Sequence, residues 1–194
     1  MTFSGANAVV VAFDPAKRSS GAAIFLGPGV LHNAYTVKKQ SEREYVVKTA
    51  VELARAADRP LVCIAETWDP PRHRRRRTVD GAERVEFDQK WTYKTVLGIG
   101  EGWGLWAAEL ERYEVKYIVR KTPNEWRDRL FGKRRGKRTD DAKAQAVLYA
   151  RCILKSIKDN ETDLAEAVCI GACAYNLPET FTFVEKWSKK CKRK

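Results

Sequence analysis

Residues 8–13 read AVVVAF, and the run stops at Asp14 and Pro15. A near-continuous apolar stretch rich in β-branched residues that halts at Asp-Pro is the pattern of a buried strand followed by a turn. A second short apolar run, LVCIA at 61–65, ends in the same way on Glu66. An acid abutting a buried strand is costly unless it is paired, hydrogen-bonded or bound to a cation. Asp14 before Pro15 also has an ordinary reading as a turn residue.

The remaining periodicities surround these two strands with an α/β frame. Residues 21–26 and 30–37 read as two further strands separated by Gly27-Pro28-Gly29, giving a meander. Residues 41–57 carry Val46, Val47, Ala50, Val51, Leu53 and Ala54 at helical spacing, with Ser41 and Glu44 as a capping box. A second helix spans 92–111, although Gly98, Gly100, Gly102 and Gly104 crowd its first half, and residues 114–119 alternate as a strand. Thr122-Pro123 opens a short helix containing Trp126 and Leu130, and two helices follow at 140–157 and 162–176. The order predicts a mixed α/β sheet.

At 194 residues and 44% hydrophobic, the chain can bury one core, placed at 1–178, before a basic C-terminal segment at 179–194 whose KWSKKCKRK stretch reads as a solvated tail. Two stretches break the pattern. Residues 69–90 contain Pro70, Pro71, Arg72, His73, Arg74, Arg75, Arg76, Arg77 and Gly81, and residues 132–139 contain Lys133, Arg134, Arg135, Lys137 and Arg138. Both read as basic loops suited to phosphate contacts, which position DNA without reading its sequence. Trp68, Trp91 and Tyr93 border the first and could stack on exposed bases. Core packing is the expectation for Trp103, Trp106 and Trp126.

The formal charge of +12 favours a polyanionic partner through counterion release, with nucleic acid ahead of an anionic membrane. No apolar stretch approaches the roughly 20 residues that span a bilayer, and no signal peptide opens the chain. A soluble, intracellular protein without membrane attachment is expected. The five cysteines have no zinc-ligand spacing, and three of them sit in apolar runs, where they read as reduced core residues.

Asp163 and Glu166 stand three apart in TDLAEAVCIGA, so on a helix they share a face. Taken singly, Asp163 is a first-turn acid at a helix dipole and Glu166 belongs to a solvated face. Together with Asp14 and Glu66 they form a hard, oxygen-only ligand set suited to Mg²⁺ or Mn²⁺. In phosphodiester hydrolysis two such ions about 4 Å apart activate a water and stabilise the leaving oxygen.

The strand ending VVAFDPAKRSSGAAIF, the strand ending LVCIAET and the helix carrying DLAEA resemble, in that order, the RuvC family of Holliday-junction resolvases of the RNase H-like superfamily. The segment LGIGEGWGLWAAELERYEVKYIVRKTPNEWRDRLFG followed by TDDAKAQAVLYA is similar to that family's middle, so the resemblance runs from about 8 to about 176. It implies an RNase H-like fold, a five-stranded mixed sheet with helices on both faces, and a homodimer acting on a four-way junction or other branched DNA in the cytoplasm. A divergent bacterial or bacteriophage member fits. It also implies that Asp14, Glu66, Asp163 and Glu166 hold two Mg²⁺ or Mn²⁺ ions. By the same resemblance, Lys143 stands near the scissile phosphate and Trp68 near unstacked bases. Ala16 departs from the usual Gly, Glu166 stands where Asp is commoner, with Asp159 or Glu161 as substitutes, and the Arg-rich stretch looks inserted.

Three alternatives remain. The same site could act on other branched DNA or hybrids, or the acids could be structural in a non-catalytic nucleic-acid-binding module. An actin-like ATPase would use the Asp14 turn and Gly21, but neither a second phosphate loop nor a Walker A lysine motif is present.

Overall fold

The computed structural model of the chain describes residues 7–15, 19–67, 75–79, 82–86, 93–132 and 139–191. Strand β1 (Val9–Asp14) lies at the middle of a five-stranded sheet with β2 (Ser20–Gly27) and β3 (Val30–Val37) on one side. On the other side lie β4 (Leu61–Glu66) and β7 (Ile118–Lys121). β1, β2 and β3 pair antiparallel as a meander, whereas β4 runs parallel to β1 and β7 parallel to β4.

The central position explains the unbroken apolar run. Side chains alternate along a strand. Val10 and Ala12 enter one core with Val62 and Ile64, while Val9, Val11 and Phe13 enter the other with Cys63 and Ala65. Helices α1 (Gln40–Ala56) and α2 (Tyr93–Arg112) cover the second face. Helices α3 (Pro123–Phe131), α4 (Thr139–Ile153), α5 (Thr162–Ala174) and α6 (Pro178–Cys191) contribute to the first core. Both faces are therefore covered by helices, as expected. Cys63, Cys169 and Cys173 are buried free thiols and Cys152 is an exposed one.

Several boundaries differ from the sequence expectation for identifiable reasons. The α1 cap is not made by Ser41 and Glu44. The helix starts at Gln40, and Glu42 Oε2 accepts from the backbone N–H groups of Lys38 and Lys39 at 2.6 and 2.9 Å. Glu44 pairs instead with Arg112 at 3.1 Å. The strand expected at 114–119 is β7, displaced to Ile118–Lys121, because Glu114 adopts φ 53° in the turn after α2. α4 ends at Ile153, short of the expected 157.

Two regions expected to lack regular structure have it. Within 69–90, β5 (Arg75–Val79) and β6 (Ala82–Glu86) form an antiparallel ribbon whose innermost pair is Val79↔Ala82. The two residues between them are Asp80-Gly81, a strong hairpin signal that the density of arginine obscured. The basic segment from 179 begins as a packed helix. Thr180 and Val184 are buried, Phe183 stacks on Tyr117 at 3.9 Å between centroids, and Glu179 pairs with Lys121 at 2.7 Å. No described helix is long and apolar enough to cross a membrane.

Candidate functional site

Strand alternation sets the first two acids. Asp14 follows Val10 and Ala12 in phase and Glu66 follows Val62 and Ile64, so both belong to the sheet face that α5 covers. β1 and β4 are parallel neighbours with Phe13 opposite Ala65, so the two carboxylates stand at adjacent strand ends.

The third and fourth acids arrive on α5. Its first turn can approach only because residue 21 is glycine. A Cβ at Gly21 would lie 1.9 Å from the carbonyl oxygen of Asp163. Gly21 is itself the partner of Asp14 in the β1–β2 ladder, so this close approach brings Asp163 to Asp14. Deeper along the helix, a Cβ at Gly171 would lie 2.4 Å from the Phe25 ring. Between these contacts Glu166 is buried, at 4% exposure.

Asp14, Asp163 and Glu166 each bring a carboxylate oxygen within 4.8 Å of the others. Glu66 stands beside this trio: its charge acts on Asp14, and that of Glu166 acts on it. Asp14, Glu66 and Asp163 keep part of their surface open. Burial, reinforced by the charges of Glu66, Glu166 and Asp163, holds the Asp14 carboxyl well above the usual range. Burial pushes Glu66 up to about 7, against a hydrogen bond from Trp126 that lowers it. An excess of carboxylate that resists ionising fits a divalent cation bound by oxygen, and the trio would supply its ligands.

Two residues on α3 hold the acids from outside the trio. Trp126, fully buried, donates Nε1–H to Glu66 Oε2 at 2.8 Å, and Arg127 donates to Glu166 Oε1 in an ion pair. The Arg127 guanidinium lies 4.8 Å from the centre of the Trp126 ring. A capping box fixes the start of this helix: Thr122 Oγ1 accepts from Glu125 N–H at 3.3 Å, and Glu125 Oε2 accepts from Thr122 N–H at 2.7 Å. Sequence reasoning placed Trp126 in the core, where it is, but missed its polar contact and missed Arg127 altogether. The Thr-x-x-Glu box was the available signal, since it fixes which residues follow in the next turn.

Lys143 is exposed on α4, and its positive charge lowers both Asp14 and Glu66. The substitutes considered for Glu166 lie elsewhere: Asp159 pairs with Arg151 at 2.8 Å, and Glu161 accepts from the backbone of Lys158. Trp68, Arg72, Arg74, Lys133, Arg134, Arg135, Lys137 and Arg138 lie outside the described residues, as does Trp91. Arg75, Arg76 and Arg77 are described as backbone, in β5.

No protein-family model matches the sequence, and no curated protein matches it either. Among solved structures the chain is similar to T. thermophilus RuvC in complex with Holliday junction substrate, with a TM-score of 0.54 and 14% identity. The match covers 86% of this chain and 92% of that one. At such identity the likeness concerns the fold: this chain has the RuvC-like arrangement of the RNase H-like fold.

Proposed function

We propose that the chain is a metal-dependent nuclease that hydrolyses phosphodiester bonds in branched DNA, four-way junctions foremost, and that it works as a homodimer cutting opposing strands. The observation that carries this reading is the convergence of Asp14, Asp163 and Glu166 beside Glu66 at adjacent strand ends of a RuvC-like fold. The T. thermophilus neighbour's complex with a Holliday junction substrate supports the choice of branched DNA, and a two-fold substrate favours a two-fold protein.

In this reading Asp14, Asp163 and Glu166 would hold Mg²⁺ or Mn²⁺, two ions being the expectation, with Glu66 completing the set. Bound there, the metal supplies a hydrolytic water at neutral pH and neutralises charge on the phosphate. Trp126 and Arg127 each hold one carboxylate oxygen, of Glu66 and of Glu166 respectively. Lys143 brings a positive charge to the rim, where a phosphate would enter. The basic stretch that contains the arginine run, the second basic stretch at 133–138 and Trp68 are proposed to contact DNA around the site.

The wild-type chain is tested on four-way junction, flap, RNA–DNA hybrid and linear duplex with Mg²⁺ or Mn²⁺. Cleavage of the junction ahead of the duplex is expected. Equal rates on junction and duplex would remove the junction preference, and faster cleavage of the hybrid would move the substrate to RNA. A second reading has the Arg127–Glu166 pair in its favour, since an acid already neutralised can be structural. It describes a binding module that weakens with salt and cuts nothing.

A further inference from the structure

Strands β5 and β6 form a two-stranded sheet of their own beside the five-stranded one. Among the described elements, neither of its strands has extended contact with any element except the other. An isolated two-stranded hairpin is marginal in water. The register of the β5–β6 ribbon is unbroken: Arg75↔Glu86, Arg76↔Val85, Arg77↔Arg84, Thr78↔Glu83 and Val79↔Ala82.

Directly opposed residues share a face, and successive residues alternate between faces. Positions 75, 77, 79, 82, 84 and 86 therefore fall on one face, and 76, 78, 83 and 85 on the other. The first face holds Arg75, Arg77 and Arg84 against Glu86 alone, whereas the second balances Arg76 with Glu83. Arg77 directly opposite Arg84 is a like-charged cross-strand pair, an arrangement that destabilises a ribbon standing alone. An anion placed across that face would reverse the sign of its contribution.

We propose that the face carrying Arg75, Arg77 and Arg84 contacts the phosphate backbone of a duplex arm, with Arg76 outside the contact. This assignment rests on the nuclease reading for its choice of polyanion. The ribbon follows Glu66 after residues 67–74. That connection spans at most about 30 Å, so the base of the ribbon stays within roughly nine base pairs of duplex from the acid cluster. A two-stranded ribbon is also narrow enough to enter the major groove. The register separates two residues that the arginine run alone cannot: Arg84, outside the run, joins the contact, and Arg76, inside it, leaves.

The full chain carrying Arg77→Gln with Arg84→Gln is compared with wild type and with Arg76→Gln. Binding to a four-way junction and to linear duplex is followed by fluorescence anisotropy over a salt series without divalent metal. Each phosphate contact removed lowers the slope of log affinity against log salt by about 0.9. The double variant is expected to lose about twice that slope, and roughly tenfold or more in affinity, while Arg76→Gln stays near wild type. Arg77→Lys with Arg84→Lys keeps the charges and should keep the slope. Equal effects of the Gln variants, an unchanged slope in the double variant, or loss of slope in the Lys pair would each overturn the assignment. So would absence of DNA binding by wild type, or binding to phosphatidylserine vesicles in its place. Wild-type cleavage of the junction with Mg²⁺, measured in parallel, separates the two claims. Expected slopes without cleavage keep the ribbon contact and remove the nuclease; cleavage with unaltered slopes does the reverse.

Discussion

At the scale of residues, the described part of the site sets four carboxylates against Arg127 and Lys143, and the excess shows in the raised Asp14 and Glu66 carboxyls. Glu66 moves from an ordinary 4.5 to about 7 on folding. Across that interval the folded, metal-free chain holds a proton that the unfolded chain has released. The contribution of Glu66 to stability therefore falls as pH rises from 4.5 to about 7 and levels off above it. Urea unfolding in EDTA should show this slope. Glu66→Gln, which keeps an acceptor for Trp126, should flatten it and leave the variant more stable than wild type above about pH 7. The opposite slope would contradict the burial of this acid. Arg127→Gln removes one partner of the buried Arg127–Glu166 pair, which costs about 3 kcal/mol. If a cation takes over the neutralisation, the loss measured in EDTA should shrink in saturating Mg²⁺, and an equal loss in both conditions would argue against metal at Glu166. The four acids were legible because each interrupts or borders an apolar run. Arg127 was not, because a cation beside a tryptophan on a short polar helix looks like surface until Glu166 is brought to it.

At the scale of elements, the approach of α5 to β2 decides whether Asp163 reaches Asp14. Gly21→Ala would place a methyl group against the Asp163 backbone, which cannot rotate away. A loss of about 1–3 kcal/mol is expected from such overpacking, measured by denaturant unfolding. Weaker Mg²⁺ protection against unfolding should accompany it, because the first turn of α5 must shift. Wild-type stability in this variant would contradict the close contact. The elements themselves followed from periodicity where packing enforces it, as in β1, β4 and α5. Where packing does not enforce it, the sequence misled. The ribbon hid behind its arginines despite Asp80-Gly81, the alternation at 114–119 was overridden by a turn, and the buried pair Thr180 and Val184 was too sparse among charged neighbours to announce α6.

At the scale of the whole molecule, a chain of net charge +12 concentrates acids at one end of its central strands. In the proposed function, the basic residues would hold a polyanion while the acidic centre would hold the cation that neutralises one phosphate. The five-stranded order places Asp14 and Glu66 side by side, and covering both faces of the sheet forces α5 across them. The mixed sheet was legible from the succession of strands and helices, but the juxtaposition of strands far apart in sequence rested on the family resemblance, because strand order is not written in local periodicity. The most direct measurement is cleavage of a synthetic four-way junction by wild-type and Asp14→Asn protein, with Mg²⁺, with Mn²⁺ and with EDTA. The expected result is cleavage by wild type only with metal, and a loss of about 100-fold or more in Asp14→Asn, since even partners of metal ligands cost 10–100-fold when removed. Asp14→Asn cutting at the wild-type rate, or wild type cutting equally well in EDTA, would contradict a metal-dependent nuclease at this site.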